Sequence, residues 1–130
     1  MDEERELGFD LAAASLRADD AELAGALEVF ATKLEGALPG ACHVRRRRES
    51  LLSRRTRVDT IALELGESQF VLQRKGHELV AERTDHVHDM RKRTERLSLH
   101  DWLTALESEL RRRAASGAEA RAALDRLLGG

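Results

Sequence analysis

Apolar positions along the chain fall into three blocks with different periods. In the first, Leu23, Ala26, Leu27, Phe30, Ala31 and Leu34 recur at steps of three and four. That is one stripe of a helix with 3.6 residues per turn. Asp19-Asp20-Ala21-Glu22 stands before the stripe with an acidic N-cap and a glutamate at capping-box spacing. Leu38-Pro39-Gly40 stands after it, and proline disfavours helix at the residue it follows. A long helix is therefore expected within 19–38, with a shorter one before it over 10–17 and a frayed stretch over 1–9.

The second block alternates. Ile61, Leu63 and Leu65 interleave with Thr60, Ala62 and Glu64; after Gly66-Glu67, Phe70 and Leu72 interleave with Gln69, Val71 and Gln73. Period two predicts half-buried strands, and glycine at the reversals predicts tight turns. Cys42 and Val44 against His43 and Arg45 predict an earlier strand. Lys75-Gly76-His77 predicts a turn into Leu79, Val80 and Ala81, and polar Asp85 to Thr94 an edge strand. The expectation is an antiparallel meander of four or five strands within 41–94.

The third block returns to helical spacing with Leu99, Trp102, Leu103, Leu106 and Leu110, preceded by Ser98 as N-cap and Asp101 in the first turn. Ser116-Gly117-Ala118-Glu119 predicts a break and a second C-terminal helix to Leu128. Together these predict a single two-layer α+β domain over 1–130: helical over 10–38, sheet over 41–94, helical over 99–128. Its expected core is Leu27, Phe30, Leu34, Ile61, Leu63, Phe70, Leu72, Trp102, Leu103 and Leu106.

Composition agrees with one folded domain. The chain has 130 residues, 42% hydrophobic and 35% charged, long enough to bury a core without metal or disulfides. No apolar run approaches the ~18 residues of a membrane span, and Met1-Asp2-Glu3-Glu4-Arg5-Glu6 is the opposite of a basic secretory leader. The lone Cys42 has no partner for an internal disulfide. A cytoplasmic setting and no membrane partner are expected.

The net charge of −2 hides segregation: residues 1–42 carry −7, residues 43–96 carry +5, and residues 97–130 are neutral. The densest basic stretch is Arg45-Arg46-Arg47-Arg48, followed by Arg54, Arg55 and Arg57; a second is Arg91-Lys92-Arg93 with Arg96. Arginine forks suit phosphates and carboxylates alike. No aromatic lies between Arg45 and Arg57 to stack a base, and the element order offers no helix-turn-helix. On a strand, Arg45 and Arg47 point one way and Arg46 and Arg48 the other, so half of them are placed to face the acidic first helix. Glu22, Glu28 and Glu35 are its candidate partners for them.

Enzymatic chemistry finds little support. Phosphate-cradling glycine loops, a Gly-x-Ser-x-Gly elbow and His-Glu-x-x-His are all missing from the sequence. Cys42 and His43 are neighbours on a strand, so their side chains diverge; a small buried cysteine is the simpler reading. In Asp85-His86-Val87-His88-Asp89 the two histidines share a face on a strand, but zinc would need further ligands that no spacing supplies. No cofactor or metal is expected.

Leu23 to Leu38, the arginine-rich start of the meander, and Leu97-Ser98-Leu99-His100-Asp101-Trp102-Leu103 together resemble a family of small bacterial α+β proteins with no assigned activity. In element order the chain is also similar to the nucleoid-associated YbaB family and, more loosely, to type III secretion chaperones. The first resemblance implies a bacterial cytoplasmic protein, the second a small dimer, and neither supplies an activity. Two functions follow as expectations. One is a non-enzymatic interaction module, adaptor- or chaperone-like and homodimeric through Ala118–Leu128, with Arg45, Arg46, Arg47, Arg48, Arg54, Arg55 and Arg57 facing an acidic protein partner. The alternative is a nucleic-acid-associated protein whose phosphate contacts come from the same arginines. A small enzyme using Cys42 or His86 and His88 is the weakest reading.

Overall fold

The computed structural model describes residues 20–76, 78–87, 91–114, 122 and 125. The helical stripe after Asp20 folds as α1 (Asp20–Ala37). Leu23, Leu27, Phe30, Ala31 and Leu34 are buried along one side, as a 3.6-residue period requires. The helix stops where expected. The Leu38 N–H still reaches the Leu34 carbonyl at 2.8 Å; Pro39 and Gly40 then reverse the chain, and the Cys42 N–H closes the turn on the Leu38 carbonyl at 2.9 Å.

Five strands follow in a simple antiparallel meander: β1 (Cys42–Arg48), β2 (Thr56–Leu65), β3 (Ser68–Lys75), β4 (Glu78–Val87) and β5 (Arg91–Leu97). Two of the hairpins close through two residues, with Gly66 at φ +64° and Gly76 at φ +62°. Positive φ at the first turn position matches the twist of the flanking strands and favours glycine there. The expected edge strand over Asp85–Thr94 is corrected: Asp85, His86 and Val87 belong to β4, β5 runs on to Leu97, and Asp85 pairs with Arg93 across the reversal. Polar residues on both sides of that reversal leave no change of period to mark it.

One helix follows the sheet among the described residues, α2 (Leu99–Ala114), where two were expected. The expected helix over 118–128 falls almost wholly outside the described residues, as do the short helix over 10–17 and the frayed stretch over 1–9. Ser98 caps α2, its hydroxyl oxygen accepting from the Asp101 N–H at 3.1 Å. Asp101 sits in the first turn and Arg111, Arg112 and Arg113 in the last, each sign matching the helix dipole.

Both helices pack on one face of the sheet, α1 against β1 and β2, α2 against β4 and β5. Ile61, Leu63, Leu65, Phe70, Leu72 and Ala81 rise from the strands to meet them. Trp102 of α2 is fully buried at the centre. Its ring meets Phe30 of α1 edge-on at 6.2 Å and Phe70 of β3 edge-on at 6.0 Å. Its indole N–H donates to the Glu82 carbonyl of β4 at 3.1 Å.

All the expected core residues are buried except Leu103, which lies one position off the α2 stripe and packs partly buried at the margin. Val58 is buried although alternation from Ile61 would put it on the other face. A bulge explains it. Arg45 pairs with Thr60 and Arg46 with Val58, so Asp59 is an extra residue on β2 and returns Val58 to the covered side. On that side Ser68 is buried too, donating to Asp85 at 2.7 Å, where the Arg83 Nε also arrives at 3.0 Å with its guanidinium 5.2 Å above Phe70.

Trp102→Ala should cost about 3–5 kcal/mol, since it removes the largest buried side chain and leaves a cavity between three elements. Trp102→Phe should cost less. Urea unfolding followed by far-ultraviolet circular dichroism reads both.

Candidate functional site

The arginine run forms the outer half of β1, and strand alternation together with the bulge decides where each side chain goes. Arg46 turns to the helix side. Glu28 and Glu35 lie two helical turns apart on α1, on the flank nearest β1. The Arg46 Nη2 donates to both carboxylates at 3.0 Å, and its Nε donates to Glu28 at 3.2 Å. Hydrogen bonds to Glu28 and then Glu35 raise the Arg46 pKa further, against a small opposing effect of burial.

Arg45 and Arg47 turn to the open face and meet Asp59, the extra residue of the bulge. Arg45 donates to it at 2.9 Å, Thr60 at 3.0 Å, and the Arg47 Nε stands 3.9 Å away. Burial pushes the Asp59 carboxyl up. The hydrogen bonds from Arg45 and Thr60 and the charges of Arg47 and Arg45 outweigh it, so the pKa ends below the usual value. Arg57 donates to Glu49. Four of the seven sequence-predicted arginines therefore have a carboxylate from the same chain, two of them sharing Asp59.

Arg48, Arg54 and Arg55 are different: among the described residues no carboxylate pairs with them, and all three are exposed. Arg48 helps line an open cleft of about 450 Å³ with Arg47, Glu49, Arg57, Asp59 and Arg74. Arg54 and Arg55 lie in the loop joining β1 to β2. That loop is internally tied. The Glu49 N–H donates to the Arg55 carbonyl at 3.2 Å, the Ser53 N–H to the Ser50 carbonyl at 3.2 Å, and the Arg55 N–H to the Ser53 hydroxyl oxygen at 3.1 Å. Between these ties Leu51 and Leu52 are 96% and 98% exposed.

Sequence reasoning missed three parts of this site. Asp59 lies only two residues beyond Arg57, but its role comes from a bulge that no residue pattern announces. Arg74 arrives from β3, whose register brings it to the cleft. Leu51 and Leu52 were legible as an apolar pair between two basic runs, yet carry no periodicity.

Among the described residues the other candidate chemistry is not assembled. Cys42 is buried, and burial, then the charge of Glu35, pushes its thiol up to about 11. His43 is exposed on the opposite face of β1. His86 is exposed on β4, and His88 lies outside the described residues. Among the described residues no three histidine, cysteine or acidic side chains gather as a metal site. No helix of the described residues is long and apolar enough to cross a membrane.

The raised thiol pKa sets a sign. The native state disfavours the thiolate, so its contribution to stability is complete below the ordinary value of 9.0 and is lost as pH climbs from there to about 11. At neutral pH a thiol reagent should modify Cys42 about 100-fold more slowly in the native protein than in urea, reflecting the smaller thiolate fraction. Rapid native labelling would show an accessible thiolate instead.

Compared with protein families, curated proteins and solved structures, the chain finds no match, and the resemblance drawn from its sequence rests on those residues and element order alone.

Proposed function

We propose that this chain is a non-enzymatic interaction module, adaptor- or chaperone-like, that takes an acidic protein partner on its arginine-rich end, in the cytoplasm and as a homodimer. One observation carries the reading. Arg48, Arg54 and Arg55 lie without carboxylate partners among the described residues, beside arginines that are already paired. The paired set, Arg45, Arg46, Arg47 and Arg57, is already neutralised within the chain, and the unpaired set supplies the attraction.

A protein ligand suits this layout better than a nucleic acid. Asp59 and Glu49 stand among the strand arginines, so a phosphate backbone running along β1 would meet negative charge as well as positive. No aromatic between Arg45 and Arg57 offers a stacking surface. A protein partner can place a few carboxylates against the loop and leave the acids untouched.

Poly-glutamate at ~50 mM salt should bind the protein, and Arg54→Ala with Arg55→Ala should weaken that binding by about tenfold while leaving the melting temperature unchanged, since both side chains are exposed and pair with no carboxylate among the described residues. Tighter binding of duplex DNA, with a salt slope that the double variant flattens by up to about two units, would favour phosphates instead. The expected dimer contact over Ala118–Leu128 lies outside the described residues. Light scattering should nonetheless give twice 14.5 kDa at tens of micromolar, and a mass of 14.5 kDa would end the dimer.

A further inference from the structure

We infer that the β1–β2 loop is a membrane-surface tip: Leu51 and Leu52 dip into an anionic bilayer while Arg54, Arg55 and Arg48 meet the lipid headgroups. This goes beyond an acidic protein partner, because it rests on the leucines, which no charge pairing explains.

Single exposed leucines are ordinary on protein surfaces. Two in succession at 96% and 98% exposure, at the end of a hairpin, make almost no contact with the rest of the chain. Folding therefore gains nothing from them. Their position is nonetheless fixed, since the Glu49–Arg55, Ser50–Ser53 and Ser53–Arg55 hydrogen bonds close the loop beneath them. The tip itself, Ser50-Leu51-Leu52-Ser53-Arg54-Arg55, contains no acid, and the nearest one, Glu49, is tied to Arg57.

Topology supplies the plane. In an antiparallel meander the β1–β2 loop and the β3–β4 turn lie at the same end of the sheet, and residues of both hairpins line the cleft there. Arg74, which donates to the Gly76 carbonyl at 3.1 Å, and Lys75, opposite Glu78 in the register, thus also lie at that end. Glu49 and Asp59 line the cleft behind the tip but are held by Arg57 and Arg45. The tip itself carries only cations around a projecting apolar pair, which matches a flat, negatively charged interface laid against the tip rather than along β1. There, basic side chains sit at headgroup level and apolar ones reach the acyl boundary. A groove in a folded protein would have to enclose the leucines while seating charges spread over two hairpins. The lack of an apolar span bears only on crossing the bilayer, not on lying against it.

Co-sedimentation with large vesicles tests the inference at ~0.1 M salt, using phosphatidylcholine alone and phosphatidylcholine with about 30% phosphatidylserine. The protein should partition onto the anionic vesicles and not the neutral ones. Leu51→Ser with Leu52→Ser should weaken that partitioning at least about tenfold, and Arg54→Ala with Arg55→Ala by about 30-fold. The leucine variant should keep the wild-type melting temperature and its affinity for poly-glutamate, which separates this inference from the acidic-partner reading. Wild-type protein that stays in the supernatant with anionic vesicles overturns the membrane tip, even where poly-glutamate binds. Partitioning that ignores the leucine substitutions overturns it as well, because charge alone would then account for the binding. Loss of poly-glutamate binding with vesicle binding intact would instead remove the acidic-partner reading and keep the tip.

Discussion

Trp102 is the point at which three elements become one structure. A sheet of five strands and two separate helices have no covalent reason to share a core, and α1 and α2 lie at opposite ends of the described chain. The indole ring meets Phe30 from α1 and Phe70 from β3, and its N–H is spent on the Glu82 carbonyl of β4. A phenylalanine there would supply the apolar area without the hydrogen bond that fixes how deeply α2 sits over β4. The chain has only four aromatic residues in 130 and three of them meet here, so aliphatic side chains do the remaining packing.

The second constraint is the extra residue in β2. A single inserted position does two things at once, on opposite faces. Toward the helices it brings Val58 back into the core. Toward the open face it sets Asp59 between Arg45 and Arg47, where its charge satisfies strand arginines that would otherwise repel each other. The arginine run is therefore divided by geometry into a part paired within the fold and a part, at the hairpin end, with no carboxylate partner among the described residues. Net charge along the sequence cannot make that division.

What was legible follows from periodicity. Leu23 to Leu34, Ile61 to Leu65, and Trp102 to Leu110 each repeat at the spacing of the element they form, and Gly66 and Gly76 mark the two-residue turns. What was not legible has no repeat. The β4–β5 reversal lies in polar sequence with no glycine or proline, so Asp85 to Thr94 looked like one strand when it belongs to two. The bulge adds one residue to an alternating run and is silent in composition. The candidate site splits along the same line. Its arginines were legible as a run, and alternation placed half of the strand arginines toward the acidic helix without saying which half; the structure shows it to be Arg46. Asp59 and Arg74 depended on register, which arises from pairing between strands and is written in neither strand alone.

The sheet is open, and its two outermost strands are both cationic. β1 presents Arg45, Arg46, Arg47 and Arg48, and β5 presents Lys92, Arg93 and Arg96 from an exposed strand. Unpaired strand edges are the usual route by which β proteins polymerise. Where two copies approach edge to edge, the outer half of β1 and Lys92, Arg93 and Arg96 of β5 bring like charges together over part of the new seam. Asp59, Glu28 and Glu35 beside β1 and Glu95 in β5 temper that repulsion. Edge pairing between copies is thus opposed by charge without a physical cap. A strand of the opposite sign would meet no such barrier, so the charges that blunt the two edges also discriminate by sign among extended segments that approach them.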